Sequence, residues 1–144
     1  MQISSRFTIA VHVLICIETF KNDYKVTSDF LASSVNANPV VIRRLLQQLK
    51  KAKLINVKRG SGGADIEKPL DAITLLDVYH AVECVEEGKL FHFHESPNPL
   101  CPVGKNIHAL LDARLEDIQK AMEKEMQSVS IQDIMNDAEK LIKI

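Results

Sequence analysis

Gln47 stands four positions after Arg43 and three after Arg44, the spacings at which side chains of a helix lie together on one face. These residue types have a specific use. A guanidinium can donate two hydrogen bonds to guanine, and a glutamine amide can form two with adenine, when a helix about 10 to 12 Å across lies in the major groove of a duplex. The three are candidate base readers. The stretch around them, NPVVIRRLLQQLKKAKLINVKRGSGGA from Asn38 to Ala64, carries seven basic side chains and no acidic one. Lys50, Lys51, Lys53, Lys58 and Arg59 suit phosphates, which fix register and supply salt-sensitive affinity without selecting sequence. Ser61 and Gly62 belong to a glycine-rich tip whose backbone can approach a duplex closely, and Arg59 beside them can reach into a minor groove.

Arginines and lysines on a helix face are most often simply solvated, and glycine-rich hairpins occur in many folds. Their conjunction in this order, without an acid from Phe30 to Ala64, favours nucleic-acid binding over a solvated face. Duplex DNA is favoured over RNA. Phe30 is the only aromatic of that region and is assigned to the core, whereas single-strand and RNA readers need exposed stacking platforms.

Such a face must be held by elements that the sequence also predicts. Ile42, Leu45, Leu46 and Leu49 fall in a narrow arc of a helix over about Pro39 to Lys51, with Val40, Arg44, Gln47 and Lys51 opposite them and Arg43 on the flank. Asn38 is the expected N-cap, Pro39 suits the first helical position, and Asn36 tolerates the left-handed backbone of a tight turn. A short helix capped by Thr27 comes before, with Phe30, Leu31 and Val35 inward. The first helix is predicted from Ser4, its N-cap, to Phe20, burying Ala10, Val13, Leu14, Ile17 and Phe20. After the basic helix, Leu54 to Lys58 and Ala64 to Ile66 read as strands joined by RGSGGA. This order predicts a mainly α fold, a winged helix-turn-helix with a small β-hairpin wing.

Thr74 with Asp77 makes a capping box opening a helix to about Glu86, with Leu75, Tyr79 and Val82 inward. A proline-rich connector, FHFHESPNPLCP, leads to a long helix over about Pro102 to Met126. Its stripe of Val103, Ile107, Leu110, Leu111, Leu115, Ile118, Met122 and Met126 exceeds what one small core can cover. Ser130 and Asp133 cap a last amphipathic helix carrying Ile131, Ile134, Met135, Ala138, Leu141 and Ile142. Within one compact domain, residues 1–90 are expected to form the DNA-binding region and 91–144 the connector, long helix and terminal helix.

The 144 residues carry a net charge of −1, but the charge is divided. Residues 1–63 hold ten Lys/Arg and three Asp/Glu, and residues 64–144 hold eight and sixteen. A basic half meeting a polyanion explains this, and so does mutual neutralisation. The apolar run Phe7 to Ile17 is broken by His12, followed by Glu18 and lacks a cleavage signature, so export is not expected. No run approaches the ~20 apolar residues of a membrane span. Three cysteines, Cys16, Cys84 and Cys101, without C-x-x-C spacing, fit reduced thiols in a cytoplasmic protein rather than disulfides or a zinc ribbon.

Cys101 precedes Pro102 and so occupies an expected N-cap, where backbone amides and the helix dipole favour a thiolate. A redox-sensing thiol and an inert capping cysteine are both open; Cys16 and Cys84 read as packing residues. No nucleotide loop, H-E-x-x-H or nucleophile motif is present, so no catalytic residues are expected. The rival readings are a small thiol- or metal-dependent redox protein, and an interaction module that uses the stripe while the basic half is idle.

ISSRFTIAVHVLICI, ANPVVIRRLLQQLKKAKLINVKRGSGG, AITLLDVYHAVE and NPLCPVGKNI together resemble the Rrf2 family of bacterial winged-helix regulators across nearly the whole chain. That family includes the iron-sulfur cluster regulator, the nitric-oxide-sensing repressor and the cysteine metabolism repressor. The connector is most similar to the YwnA-like branch, where H-x-x-P-N-P-x-C-P-V-G-x-N-I is usual. The resemblance implies a dimeric transcriptional regulator that reads a palindromic operator, and a repressor is expected. The DNA-facing set is then Thr27, Asn38, Val40, Arg43, Arg44, Gln47, Lys51, Lys58, Arg59, Ser61 and Gly62. The dimer interface would use Ile107, Leu110, Leu111, Leu115, Ile118 and Met122. Cluster-binding members carry three connector cysteines, whereas Cys101 stands alone here, so no metal or cofactor is expected. A cluster held by Cys101 with His12, His92, His94 or Glu95 is conceivable.

Overall fold

The computed structural model describes residues 3–59, 62–82 and 89–142. In chain order they form α1 (Arg6–Phe20), α2 (Ser28–Val35), α3 (Pro39–Lys51), β1 (Ile55–Val57), β2 (Ala64–Ile66), α4 (Leu75–Ala81), α5 (Pro102–Gln127) and α6 (Ile131–Ile142), with a 3-10 turn at Leu70–Ala72. The fold is mainly helical with a hairpin wing, as the sequence predicts. The expected stretch to Glu86, with Cys84, lies partly outside the described residues.

Short side chains set the angle between α2 and α3. The Thr27 hydroxyl accepts the Phe30 amide at 3.2 Å and starts α2. Asn36 ends it in a left-handed backbone, φ 60 and ψ 50, and the amides of Asn36 and Ala37 both return to the Ala32 carbonyl. Asn38 Oδ1 accepts the Val40 amide at 2.8 Å, and Pro39 fills a position where no helix uses an amide. α3 then buries Ile42, Leu45, Leu46 and Leu49 in a cluster with Val13, Leu14 and Ile17 of α1 and Leu31 of α2.

β1 and β2 pair antiparallel, Ile55 opposite Ile66 and Val57 opposite Ala64. Ile55 and Ala64 face the core. Gly63 has φ +78, and a Cβ there would stand 2.9 Å from the Val26 nitrogen, so only glycine lets the wing lie against the entry to α2. The Ala64 amide donates to the Val26 carbonyl at 2.9 Å and fixes that contact.

Two reciprocal capping boxes stand back to back. Thr74 and Asp77 exchange hydrogen bonds at 3.0 and 3.1 Å, and Ser130 and Asp133 do so at 2.9 and 3.1 Å. Thr74 and Ser130 also form an antiparallel bridge, flanked by Leu75 N–H to Val129 O at 2.9 Å and Ile131 N–H to Ile73 O at 2.8 Å. α6 thereby returns to the core, inserting Ile131 and Met135. α5 has no fully buried residue.

Some local expectations shift. The first helix starts at Arg6, with Ser5 rather than Ser4 adjoining it, although the Ser4 hydroxyl does accept the Arg6 amide at 3.2 Å. Phe20 and Phe30 are half-buried because they cluster at the rim of the core, Phe20 edge-on to Phe30 and Tyr24 and Phe30 tilted against Tyr24. Val35 and Leu75 are also half-buried, and Leu141 and Ile142 are exposed because α6 has passed the core by its last turn. Leu45 is completely buried, so Leu45→Ala is expected to cost about 2 to 5 kcal/mol in urea unfolding.

Candidate nucleic-acid interface

The side of α3 away from the core is bare. Val40, Arg43, Arg44, Gln47, Lys50 and Lys51 are exposed along its length, while the opposite face carries the buried aliphatic residues. The amide-rich start of the helix, its arginines and its last-turn lysines therefore form one continuous cationic strip.

Among the described residues, neighbouring acids touch this strip only at its margins. Arg43 Nη2 lies 3.8 Å from Asp29 Oδ1, with both side chains largely exposed, and Lys58 Nζ lies 3.4 Å from Asp65 Oδ2. Pairs this open contribute little stability and can exchange their carboxylates for phosphates. Among the described residues, Arg44, Lys50 and Lys51 have no carboxylate partner. Lys53 follows in a left-handed backbone, φ 63, which glycine would adopt at lower cost. The turn thus retains a cation where local backbone energetics favour another residue.

α3 and the wing enclose a groove of about 280 Å³ lined in part by Thr27, Ser28, Arg43, Gln47, Lys50 and Lys58. Thr27, far from α3 in the chain, thus reaches the same surface, with its hydroxyl already serving the cap. Gly62 lies against Lys58, where any Cβ would collide with the Lys58 Cβ. Arg59 is exposed at the end of the wing, and Ser61 lies outside the described residues. Sequence reasoning missed Ser28 and the flanking acids Asp29 and Asp65, because nothing local signals which residues a wing will face.

A larger groove of about 680 Å³ runs between the connector and α5, lined in part by Phe91, His92, Phe93, His108, Asp112 and Glu116. Phe93 stacks on His108 with ring centroids 4.1 Å apart, and His108 Nδ1 lies 3.1 Å from Asp112 Oδ1. Its carboxylates disfavour a phosphate backbone, so the cationic strip and this groove are chemically distinct surfaces.

Cys101 is exposed at the N-cap of α5. The backbone amides of Gly104 and, less strongly, Val103 hold its thiol below the ordinary value, against a small opposing effect of desolvation. Cys16 is buried, with Sγ 3.2 Å from Ser34 Oγ, and His12 Nε2 lies 3.0 Å from the same oxygen. No helix among the described residues is long and apolar enough to cross a membrane.

Residues 3–137 match the family model described as Rrf2, iron-dependent transcriptional regulator. The chain is 47% identical over 134 residues to YwnA of Bacillus subtilis (strain 168), provisionally named an HTH-type transcriptional regulator, covering 93% of this chain and 97% of that one. A crystal structure provisionally described as a DNA-binding protein is 41% identical and superposes with a TM-score of 0.72, covering 91% of this chain and 99% of that chain. The structure of T. potens IscR is similar in fold, with a TM-score of 0.70 at 18% identity, covering 98% and 90% of the two chains.

The family description mentions iron. Among the described residues no group of three or more His, Cys, Asp or Glu side chains converges as a metal ion requires. Cys101 is the connector's only cysteine, and Cys16 is buried against Ser34. A lowered pKa would preserve thiolate at Cys101 to lower pH than in a free cysteine. Iodoacetamide should alkylate Cys101 with a rate midpoint below that of a free cysteine, and Cys101→Ser should abolish that reaction in mass spectra recorded across pH. A midpoint at or above that of a free cysteine would contradict the lowered pKa.

Proposed function

Because the chain belongs to the Rrf2 family of transcriptional regulators, we propose that it is a sequence-specific DNA-binding repressor acting as a homodimer. One observation carries the proposal: α3 buries one face completely while Arg44, Gln47 and Lys51 stand exposed on the other. Arg43, Arg44 and Gln47 then read base edges, Asn38 and the lysines engage phosphates, and Lys58, Arg59 and Gly62 contact the backbone beside the wing. Thr27 sits behind them and supports the approach of α2 to the duplex.

α5 supplies the reason for two copies. Val103, Leu110 and Ile118 are 62%, 57% and 51% exposed, on a 26-residue helix about 39 Å long that has no fully buried residue. A second α5 related by a twofold axis offers the matching apolar face. Ile107, Leu111 and Leu115 flank that contact, and Met122 joins it to the core. Paired subunits would present two copies of α3 to a palindromic operator.

Cys101 is the proposed input. Its thiolate can attack a peroxide oxygen to give a sulfenic acid, with hydroxide leaving, at the junction of connector and α5. The structural setting favours this over an inert cap because the sulfur is exposed and its thiol acidified.

Selecting bound duplexes from a random DNA pool tests the main proposal. On a selected site at fixed salt, Arg44→Ala should lose about 1 to 3 kcal/mol of binding free energy; unchanged affinity would reject its role. Leu110→Glu combined with Ile118→Glu should shift sedimentation from dimer to monomer while leaving the helical circular dichroism signal intact. A dimer that survives both substitutions would exclude this face of α5.

A further inference from the structure

Val40 breaks the chemistry of the surface in which it lies. It is 57% exposed, yet at helical periodicity it shares an arc of about 60° with Arg44, Gln47 and Lys51. Those neighbours carry side chains that can hydrogen-bond, and the Val40 side chain cannot. A β-branched residue is also a poorer helix former than the alanine or lysine that would serve a merely solvated position. Its placement in the first turn is firm, because its amide is held by Asn38 Oδ1 at 2.8 Å.

We propose that Val40 recognises the C5 methyl group of a thymine in the major groove, an inference that rests on the DNA-binding reading of α3. Residues at the N-terminal end of a recognition helix are the ones that reach base edges. Among the groups displayed in that groove, the thymine methyl is the apolar one, and an isopropyl side chain has no donor or acceptor with which to read the others. Charge selects the occupant. The surface around Val40 carries Arg43, Arg44 and Lys51 on α3, with no acid from Phe30 to Ala64 in the sequence, so a polyanion fits it better than an apolar protein surface. Stiffness contributes as well, because a β-branched side chain has few rotamers to lose on contact.

Val41 provides an internal control. It is 40% exposed but lies about 100° around the helix from Val40, away from the centre of the cationic strip. Both positions are exposed, so alanine at either should leave folding intact; thermal unfolding verifies this.

The experiment uses full-length protein and a duplex selected by it from a random pool, with each thymine replaced in turn by deoxyuridine, which lacks only the methyl group. At one position per engaged helix, the replacement should weaken wild-type binding about three- to fivefold, as expected for burying one methyl. Val40→Ala should bind both duplexes alike, whereas Val41→Ala should retain the discrimination. Equal wild-type affinity for every uracil-substituted duplex would overturn the inference while leaving the regulator reading intact, and discrimination that persists in Val40→Ala would overturn it by assigning the methyl to another group. Failure to select any duplex over random DNA at matched salt would instead overturn the underlying reading, and the inference with it.

Discussion

Burial of Ile42, Leu45, Leu46 and Leu49 governs how α3 can be oriented. Each aliphatic side chain withdrawn from water contributes roughly 1.5 to 3 kcal/mol, and together they fix the rotation of the helix about its own axis. Rolling it far enough to hide Arg44 would expose part of this set and strip water from a guanidinium without a partner, both unfavourable. The charged face consequently points outward without any interaction dedicated to holding it there. Its direction follows from the packing on the other side.

Around that helix, each neighbouring segment is attached by a small number of directed contacts. The Asn36 turn and the Asn38 cap establish how α3 leaves α2, and the approach of Gly63 to Val26 brings the wing to the same surface. Shape and charge thus come from different parts of the chain: aliphatic side chains provide the platform, backbone geometry at the turns aims it, and the cations occupy what remains. The open pairs Arg43–Asp29 and Lys58–Asp65 restrain two of those cations without burying them.

Much of this was legible in the sequence because it depends on neighbours close in the chain. The bounds of α3, the Asn36 turn, the Asn38–Pro39 start, both capping boxes and the hairpin follow from periodicity and turn chemistry within a few residues. The bridge between Thr74 and Ser130 and the meeting of Thr27 with Lys58 in one groove were not legible, because they join segments whose separation in sequence says nothing of their proximity. Burial at the rim was also misjudged. Phe20 and Phe30 are apolar enough for the core, but they satisfy one another and Tyr24 as an aromatic cluster at its edge. The helical stripe of α5 could be read directly, whereas periodicity alone could not specify what covers it.

The back-to-back capping boxes fix the point at which the chain turns after α5. Backbone hydrogen bonds on either side of the Thr74–Ser130 bridge fasten this end to the core, while Cys101 sits at the opposite end beside the connector. A rod about 39 Å long converts a tilt of about 5° at the fastened end into about 3 Å of travel at the other, from the geometry of a straight helix. On a straight helix of this length, any angular change at the fastened end would be magnified at the thiol.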